Sequence, residues 1–299
     1  MGKVAIAGAS GTVAQSIINA ISSQGKHSIV ALTRSPNEQL SKTPNVTIKV
    51  VDYANHDNLV SALEGCDTVI STIFSRDDEA GALGASQLNL LSASKEVGVK
   101  RFAPSDFGIN SDAVNIVQRQ KNKQPIVEAL KRIGMEYTQF QNGIFMNYFC
   151  SGSPNQAEGL AGLNPMASVL DVANGKATIP GNGKVNFTTT DIRDVGHFVA
   201  ASRDLERWEP ESGMSGSTLT YDQLIELAEK ATGKTFDKTY VPVEQLKEMA
   251  KQPGRIGFIG QVSLAHEMGY AEVKPRLNEL CPEVKPIGIE EFLQKYWGS

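Results

Sequence analysis

The chain is poor in the residues that build metal centres and covalent scaffolds. Three cysteines, Cys66, Cys150 and Cys281, and four histidines are scattered over 299 residues. With no C-x-x-C pair, the spacing argues against a disulfide framework or a cysteine-rich zinc site and points to a reducing compartment. An excess of one charge is also lacking: 29 Lys and Arg against 33 Asp and Glu leave a net charge of −4, which gives no general attraction to nucleic acid or anionic lipid. No apolar run reaches the length of a membrane span. The first apolar run is the strand beginning at Val4, with no charged-then-apolar leader before it. The chain therefore reads as cytoplasmic, without a nucleic-acid or membrane partner; homodimerisation stays open. Asp191 and Asp194 could suggest a metal pair, but two acids on a helix's first turn are explained by the helix dipole, and no metal is expected. His197 reads as a packed helix residue.

What is present is the composition of a globular protein, 40% hydrophobic and 21% charged. The length suits about two domains. The organising stretch is Val4-Ala5-Ile6-Ala7-Gly8-Ala9-Ser10-Gly11-Thr12-Val13-Ala14, which reads as strand, tight turn and helix. Gly8 can take backbone angles that a Cβ forbids, and Gly11 and Ala14 keep bulk away where a ligand's phosphates and the next strand come close. Backbone N–H groups and the positive end of the helix would hold a pyrophosphate without a lysine. Gly8, Ser10, Gly11, Thr12 and Val13 are the expected cradle. Ser10 at the middle position departs from G-x-G-x-x-G, and a Gly-rich strand end can also be an ordinary α/β turn.

A helix is predicted over residues 12–24 and a strand over Ser28–Thr33. That strand ends at Arg34, with no acid to take the ribose 2′-hydroxyl of NAD. Arg34 suits a 2′-phosphate instead, the alternative being a solvated loop cation. Lys42 could add a second charge if its loop folds back. A strand at Val46–Val51, a helix at His56–Leu63 and a strand at Asp67–Thr72 follow. Asp52 and Thr72-Ile73-Phe74 then lie beyond carboxyl ends, where adenine and ribose would sit, although Asp52 could equally be a turn residue. The polar 77–86 stretch leads into a helix at Gln87–Val97, and Lys100–Pro104 reads as a strand running into Ser105-Asp106-Phe107-Gly108. Asn110–Gln120 reads as loop or irregular helix. The next helix starts at Lys121–Pro125, with the proline in its first turn, and ends at Arg132. Tyr137–Gln141 is a sixth strand, followed by the aromatic run containing Phe145, Met146 and Tyr148, which is either core or pocket wall.

Residues 150–175, rich in Gly, Ser, Asn and Pro, read as a mobile loop that could cover the site. Short strands are expected at Ala177–Gly181 and Val185–Thr189 and a helix from Asp191 through Ser202. Thr220-x-x-Gln223 is a capping box opening a helix to about Ala231, with a strand at Lys238–Val241 and helices at Val243–Lys251 and Ile289–Trp297. The expected fold is α/β, a doubly wound parallel sheet of Rossmann type with a smaller α/β substrate domain. Residues 1–150 form the nucleotide domain with 186–203 packing back on it, and 151–185 and 204–299 form the second.

Four features together resemble the NmrA-like and isoflavone-reductase-like family of atypical short-chain dehydrogenases. They are Gly8-x-x-Gly11-x-x-Ala14, Arg34, Arg101-Phe102-Ala103-Pro104-Ser105-Asp106-Phe107-Gly108, and Lys123 followed by Gly134 and Tyr137-Thr138. The chain differs in carrying Ala14 for the third glycine and Asp106 for the family's Glu. The resemblance implies NADPH and a proton-managing lysine at Lys123, which without it would read as an exposed cation. Function would require Lys123 to be partly buried at the nicotinamide, where desolvation and nearby cations such as Lys121 would lower its pKa toward neutrality. Tyr270-x-x-x-Lys274 matches the ordinary short-chain pattern but comes after all six strands and reads as chance. The expected activity is an NADPH-dependent reductase of a small, mostly apolar aromatic or polyketide-like metabolite. Ser105 would lie at the cofactor, with Asp106, Phe107, Phe145, Met146 and Tyr148 around the substrate. A non-catalytic dinucleotide-sensing regulator that binds a protein partner is the second reading, and a redox-neutral isomerase or lyase the third.

Overall fold

The computed structural model describes residues 2–74, 82–166 and 169–298. Strands β1 (Lys3–Ala7), β2 (Ser28–Thr33), β3 (Val46–Val50), β4 (Thr68–Ser71), β5 (Arg101–Ala103) and β6 (Glu136–Tyr137) form one parallel sheet in the order β3-β2-β1-β4-β5-β6. Helices α1 (Thr12–Gln24), α2 (His56–Leu63), α3 (Ala82–Glu96) and α4 (Gln118–Ile133) cover it. The central strands are apolar on both faces, as burial from both sides requires. Val4 and Ile6 of β1 join a core with Ile17, Ile18 and Ile21 of α1. Ala5 and Ala7 join the opposite core with Leu90, Phe102, Ile126 and Leu130. The strand order reverses between β1 and β4, and their carboxyl ends flank the crevice where doubly wound sheets bind ligands.

After β6 come β7 (Gln139–Gln141), β8 (Ile144–Phe145), α5 (Gln156–Leu160), β9 (Leu170–Asp171), β10 (Lys176–Pro180), β11 (Asn186–Thr190) and α6 (Ile192–Ser202). The remainder is β12 (Glu211–Gly213), β13 (Ser217–Thr220), α7 (Tyr221–Thr232), β14 (Asp237–Val241), α8 (Val243–Ala250), α9 (Gly254–Glu267), α10 (Arg276–Leu280) and α11 (Ile289–Trp297). Two three-stranded sheets, β14-β10-β9 and β13-β11-β8, surround a separate core built on Phe149, Phe187, Leu224, Phe292 and Tyr296. Helix α6 lies on α1 so closely that a Cβ at Gly196 would stand 2.4 Å from the Ser16 carbonyl oxygen. Trp208, Met214, Leu277 and Cys281 share the first core with α1 and α6.

Three local expectations change. The sixth strand is two: β6 pairs with β5, the chain turns at Thr138, and β7 pairs instead with β12. Helix α4 begins at Gln118, which puts Pro125 in its interior. Its polar first turn is helical because the Gln118 N–H is met by the Gln261 side chain of α9 at 3.0 Å, a tertiary cap that no local pattern reveals. The 150–175 stretch contains α5, anchored where Asn147 Nδ2 donates to the Gly159 carbonyl at 2.8 Å and Arg193 donates to that of Glu158. Helix α9, not among the helices expected from the sequence, carries Gly254, Gly257 and Gly260, which weaken a helix on propensity. It is helical because small residues let it lie on α8, where a Cβ at Gly260 would stand 2.4 Å from the Ala250 nitrogen. The capping box at Thr220 and Gln223 is present. The polar stretch from Asp77 to Gly81 lies outside the described residues.

In the second core the Tyr221 hydroxyl meets His266 Nδ1, and Phe187 stacks on both rings. Burial lowers the His266 pKa from 6.5 to about 4. An unfolded chain takes up this proton as pH falls through 6.5 while the folded chain does not, so this contribution to stability is complete above that pH and is lost as pH falls towards 4. Between about pH 7 and pH 5 the loss amounts to roughly 2 kcal/mol. Urea titrations of the native protein and His266→Gln at both pH values should show a smaller fall in the variant; equal falls would contradict the assignment.

Candidate functional site

The strand-turn-helix opening builds the first wall. Gly8 has φ of +75°, and a Cβ there would lie 3.1 Å from backbone atoms of Thr72 and Ile73 at the end of β4. Only glycine combines that φ with that approach. Gly11 is the N-cap of α1; its N–H bonds the Gly8 carbonyl at 2.9 Å, from which a Cβ at Gly11 would be 3.2 Å away. No side chain caps α1 and no acid occupies its first turn, so its leading N–H groups face an anion without a competing carboxylate. Ser10 is exposed, and Thr12 and Val13 are half-buried at the helix start. These features fit a dinucleotide pyrophosphate.

Tyr53 is a part of this wall that the sequence reading passed over. Its hydroxyl accepts the Gly8 N–H at 2.9 Å and donates to the Leu32 carbonyl at 3.3 Å, joining the turn to β2. Burial pushes the phenol up to about 12, against the opposing pull of the Gly8 N–H and the Arg34 charge. Arg34, exposed just past β2, is thus near enough to act on the turn. Asp52 is exposed and its carboxylate accepts the Ala54 N–H at 2.9 Å, the geometry of the turn alternative. Lys42 is exposed on the connection to β3. Thr72 is buried, its hydroxyl on the Ala7 carbonyl at 2.9 Å, while Ile73 is half-buried and Phe74 is 63% exposed under the Arg119 guanidinium. The Thr12 hydroxyl donates to the Gly162 carbonyl at 3.1 Å, which brings the segment after α5 to the start of α1.

The second wall is polar and buried. The Ser105 N–H is held by Gln87 Oε1 at 2.8 Å, which sets the turn after β5. Asp106 follows, 1% exposed, with Oδ1 2.5 Å from Lys123 Nζ and Oδ2 accepting from Gln139 Nε2 at 2.6 Å. Lys123 is brought here by α4, and its side chain keeps 22% exposure. Its near neighbour is a carboxylate, whereas Lys121 is exposed on the helix. The shorter Asp therefore reaches the lysine and is engaged in the wall itself. The Gly108 carbonyl accepts from Asn142 and Gly143, placing this turn beside the segment that carries Phe145. Phe107 stacks on Phe140 at 5.8 Å, and Phe145 meets Tyr148 edge-on at 6.3 Å. Both members of the second pair are half-buried. Met146 is fully buried in the second core, so it packs that core and does not line an open pocket. Among the described residues, no cluster of three His, Cys, Asp or Glu side chains could hold a metal ion, and no helix is long and apolar enough to cross a membrane.

The model of the NmrA-like family matches residues 1–293. The chain belongs to the NmrA-like family. It is 32% identical over 300 residues to oxidoreductase BOA1 of Botryotinia fuckeliana, covering 96% of each chain. It is 31% identical over 326 residues to phenylcoumaran benzylic ether reductase IRL1 of Ginkgo biloba, covering 99% of this chain and 100% of the relative. The fold matches that of AtPrR2, solved with NADP+ and (+)pinoresinol, with a TM-score of 0.80 at 22% identity over 98% of both chains.

If Tyr53 props the glycine turn, Tyr53→Phe leaves the half-buried Gly8 N–H without its acceptor. The expected cost is about 1–3 kcal/mol of folding stability, read from urea denaturation. An unchanged midpoint would show that the hydroxyl is dispensable to the turn.

Proposed function

We propose that this NmrA-like protein is an NADPH-dependent reductase acting on a small, mostly apolar aromatic or polyketide-like metabolite. The observation that carries the reading is the placement of a half-buried lysine, Lys123, on a buried carboxylate at the carboxyl edge of a sheet whose switch point fits a dinucleotide. The relatives named as an oxidoreductase and a benzylic ether reductase support it. Gly8 and Gly11 shape the turn, the backbone N–H groups of Ser10, Thr12 and Val13 at the start of α1 hold the pyrophosphate, and Arg34 takes the 2′-phosphate. Thr72, Ile73, Phe74 and Ser105 border the remainder of the cofactor. When bound, the cofactor supplies a hydride. Lys123 supplies a proton to the oxygen that gains the electron pair. Phe107, Phe145 and Tyr148 exclude water and present aromatic surface to the substrate. A polar proton source in an apolar pocket suits the reduction of a conjugated or benzylic carbon–oxygen system.

Two measurements test this. Arg34 in place of an acid should make NADPH bind more tightly than NADH by about 1–3 kcal/mol, and Arg34→Ala should remove most of that difference. Calorimetry in which NADH binds the native protein as well as NADPH would overturn the cofactor assignment.

Screening aromatic carbonyl and enone compounds for cofactor oxidation identifies a substrate for the second test. With it, Lys123→Ala should lower turnover by about two to four powers of ten while NADPH affinity changes far less. Lys121→Ala is the electrostatic control. Equal effects from the two substitutions, or full turnover by Lys123→Ala, would remove Lys123 from the chemistry.

A further inference from the structure

Three dipeptides of this chain place a serine or threonine directly before a proline: Ser35-Pro36, Thr43-Pro44 and Ser153-Pro154. The fold presents them unequally. Ser153 is buried, with its N–H on the Cys150 carbonyl at 2.9 Å. Thr43 is half-buried, its N–H bonds the Leu40 carbonyl at 3.1 Å, and the Pro44 carbonyl that follows accepts the Ser22 hydroxyl of α1 at 2.8 Å. Ser35 and Pro36 are both exposed, between buried Thr33 at the end of β2 and buried Leu40. Beyond them the Asn37 side chain accepts the Gln39 and Leu40 N–H groups, each at 3.1 Å, which ties down the far end of the loop and leaves Ser35 open to another protein.

The neighbour of Ser35 gives this exposure a meaning. Arg34 is exposed beside it, and Lys42 is exposed on the same connection. The group assigned to Arg34 is the 2′-phosphate of NADPH, a phosphate monoester. A phosphoserine is a phosphate monoester too, with a charge of about −1.5 to −2 at pH 7 and strong acceptor oxygens. At residue 35 it would stand one peptide from the guanidinium, an intramolecular anion at an effective concentration on the order of millimolar or above.

We propose that Ser35 is a phosphorylation site for a proline-directed protein kinase, and that its phosphate monoester, by occupying Arg34, excludes the 2′-phosphate of NADPH. The inference rests on the reading of Arg34 as the partner of that phosphate and adds a covalent control over it. In the transfer, Ser35 Oγ attacks the γ-phosphorus of a nucleoside triphosphate carried by the kinase. An Oγ–P bond forms, the bond from that phosphorus to the β,γ-bridging oxygen breaks, the nucleoside diphosphate leaves, and the hydroxyl proton passes to a base of the kinase. Two effects then act in the same direction. The guanidinium pairs with the anion already beside it, and a second phosphate approaching the same place meets like charge at a separation that salt does not screen. NADH carries no 2′-phosphate and has no such group to lose. The modification therefore changes cofactor choice without requiring the fold to move.

Both halves are tested on the full chain. Incubation with a proline-directed kinase and magnesium ATP, read by intact mass and peptide mapping, should place phosphate on Ser35 and not on Thr43 or Ser153, and Ser35→Ala should take up none. No phosphate on Ser35, or equal amounts on the other two, would overturn the site. Phosphoserine is then encoded at position 35, and calorimetry compares that protein with the unmodified chain. NADPH should bind at least about tenfold more weakly, while NADH stays within about threefold of its unmodified affinity. Phosphatase treatment of the same sample should restore NADPH binding, which separates competition at Arg34 from a damaged fold. Unchanged NADPH affinity, an equal loss for both cofactors, or a loss that the phosphatase does not reverse would overturn the competition. The unmodified chain reports on the Arg34 reading by itself: a preference for NADPH that the phosphoserine leaves intact rejects this proposal alone, whereas equal affinity for the two cofactors rejects the reading beneath it.

Discussion

The sheet's carboxyl edge is governed by one close approach of backbone to backbone. The first turn passes so near the end of β4 that a methyl group at Gly8 would sit 3.1 Å from Thr72 and Ile73. Everything above the edge is set by that contact. It lets α1 start immediately behind the turn, aims the helix's first N–H groups at the switch point, and leaves Tyr53 as the only neighbour described here whose side chain bonds the Gly8 N–H. The same economy appears at Gly196, where a missing side chain lets α6 close on α1. The nucleotide wall thus depends on absent atoms as much as on those present.

Across the crevice the constraint is electrostatic. A carboxylate with 1% exposure is tolerable only with partners, and it has two, from different parts of the chain. Lysine comes from α4 and the amide from β7, so the ion pair sits where the main sheet ends and the pairing of β7 with β12 begins. A turn built on Asp reaches no further than this pair. Its length therefore matters to how Lys123 and Gln139 are held, and Phe107, Phe145 and Tyr148 remain half-buried beside them.

Much of this was legible in the sequence, for a physical reason: the informative features are local. Apolar strands buried on both faces, glycine at the turn, Arg34 where an acid would stand, and the order of the Ser105–Gly108 turn, Lys123 and Tyr137 all follow from short-range chemistry, and together they pointed to the NmrA-like family. What stayed hidden depends on distant partners. Tyr53 follows a strand end like many tyrosines, and nothing local says that its hydroxyl meets Gly8. Gln139 is one polar residue in a short strand until Asp106 is placed against it. The start of α4 is set by Gln261, and the three glycines of α9 weaken a helix on propensity while enabling its contact with α8. Met146 stands in an aromatic run at the right edge of the sheet, yet the neighbouring core takes it.

The first core has a bearing on biogenesis. It is not assembled from one stretch of chain: Trp208, Met214, Leu277 and Cys281 fill places in the same core as α1, α6 and β1. During synthesis the layer of β1 and α1 must wait, with part of its apolar surface uncovered, until the segment carrying Leu277 and Cys281 has left the ribosome. A chain cut before α10 would expose the apolar faces of α1 and α6 that Leu277 and Cys281 cover, making such truncated products targets for chaperones and proteases.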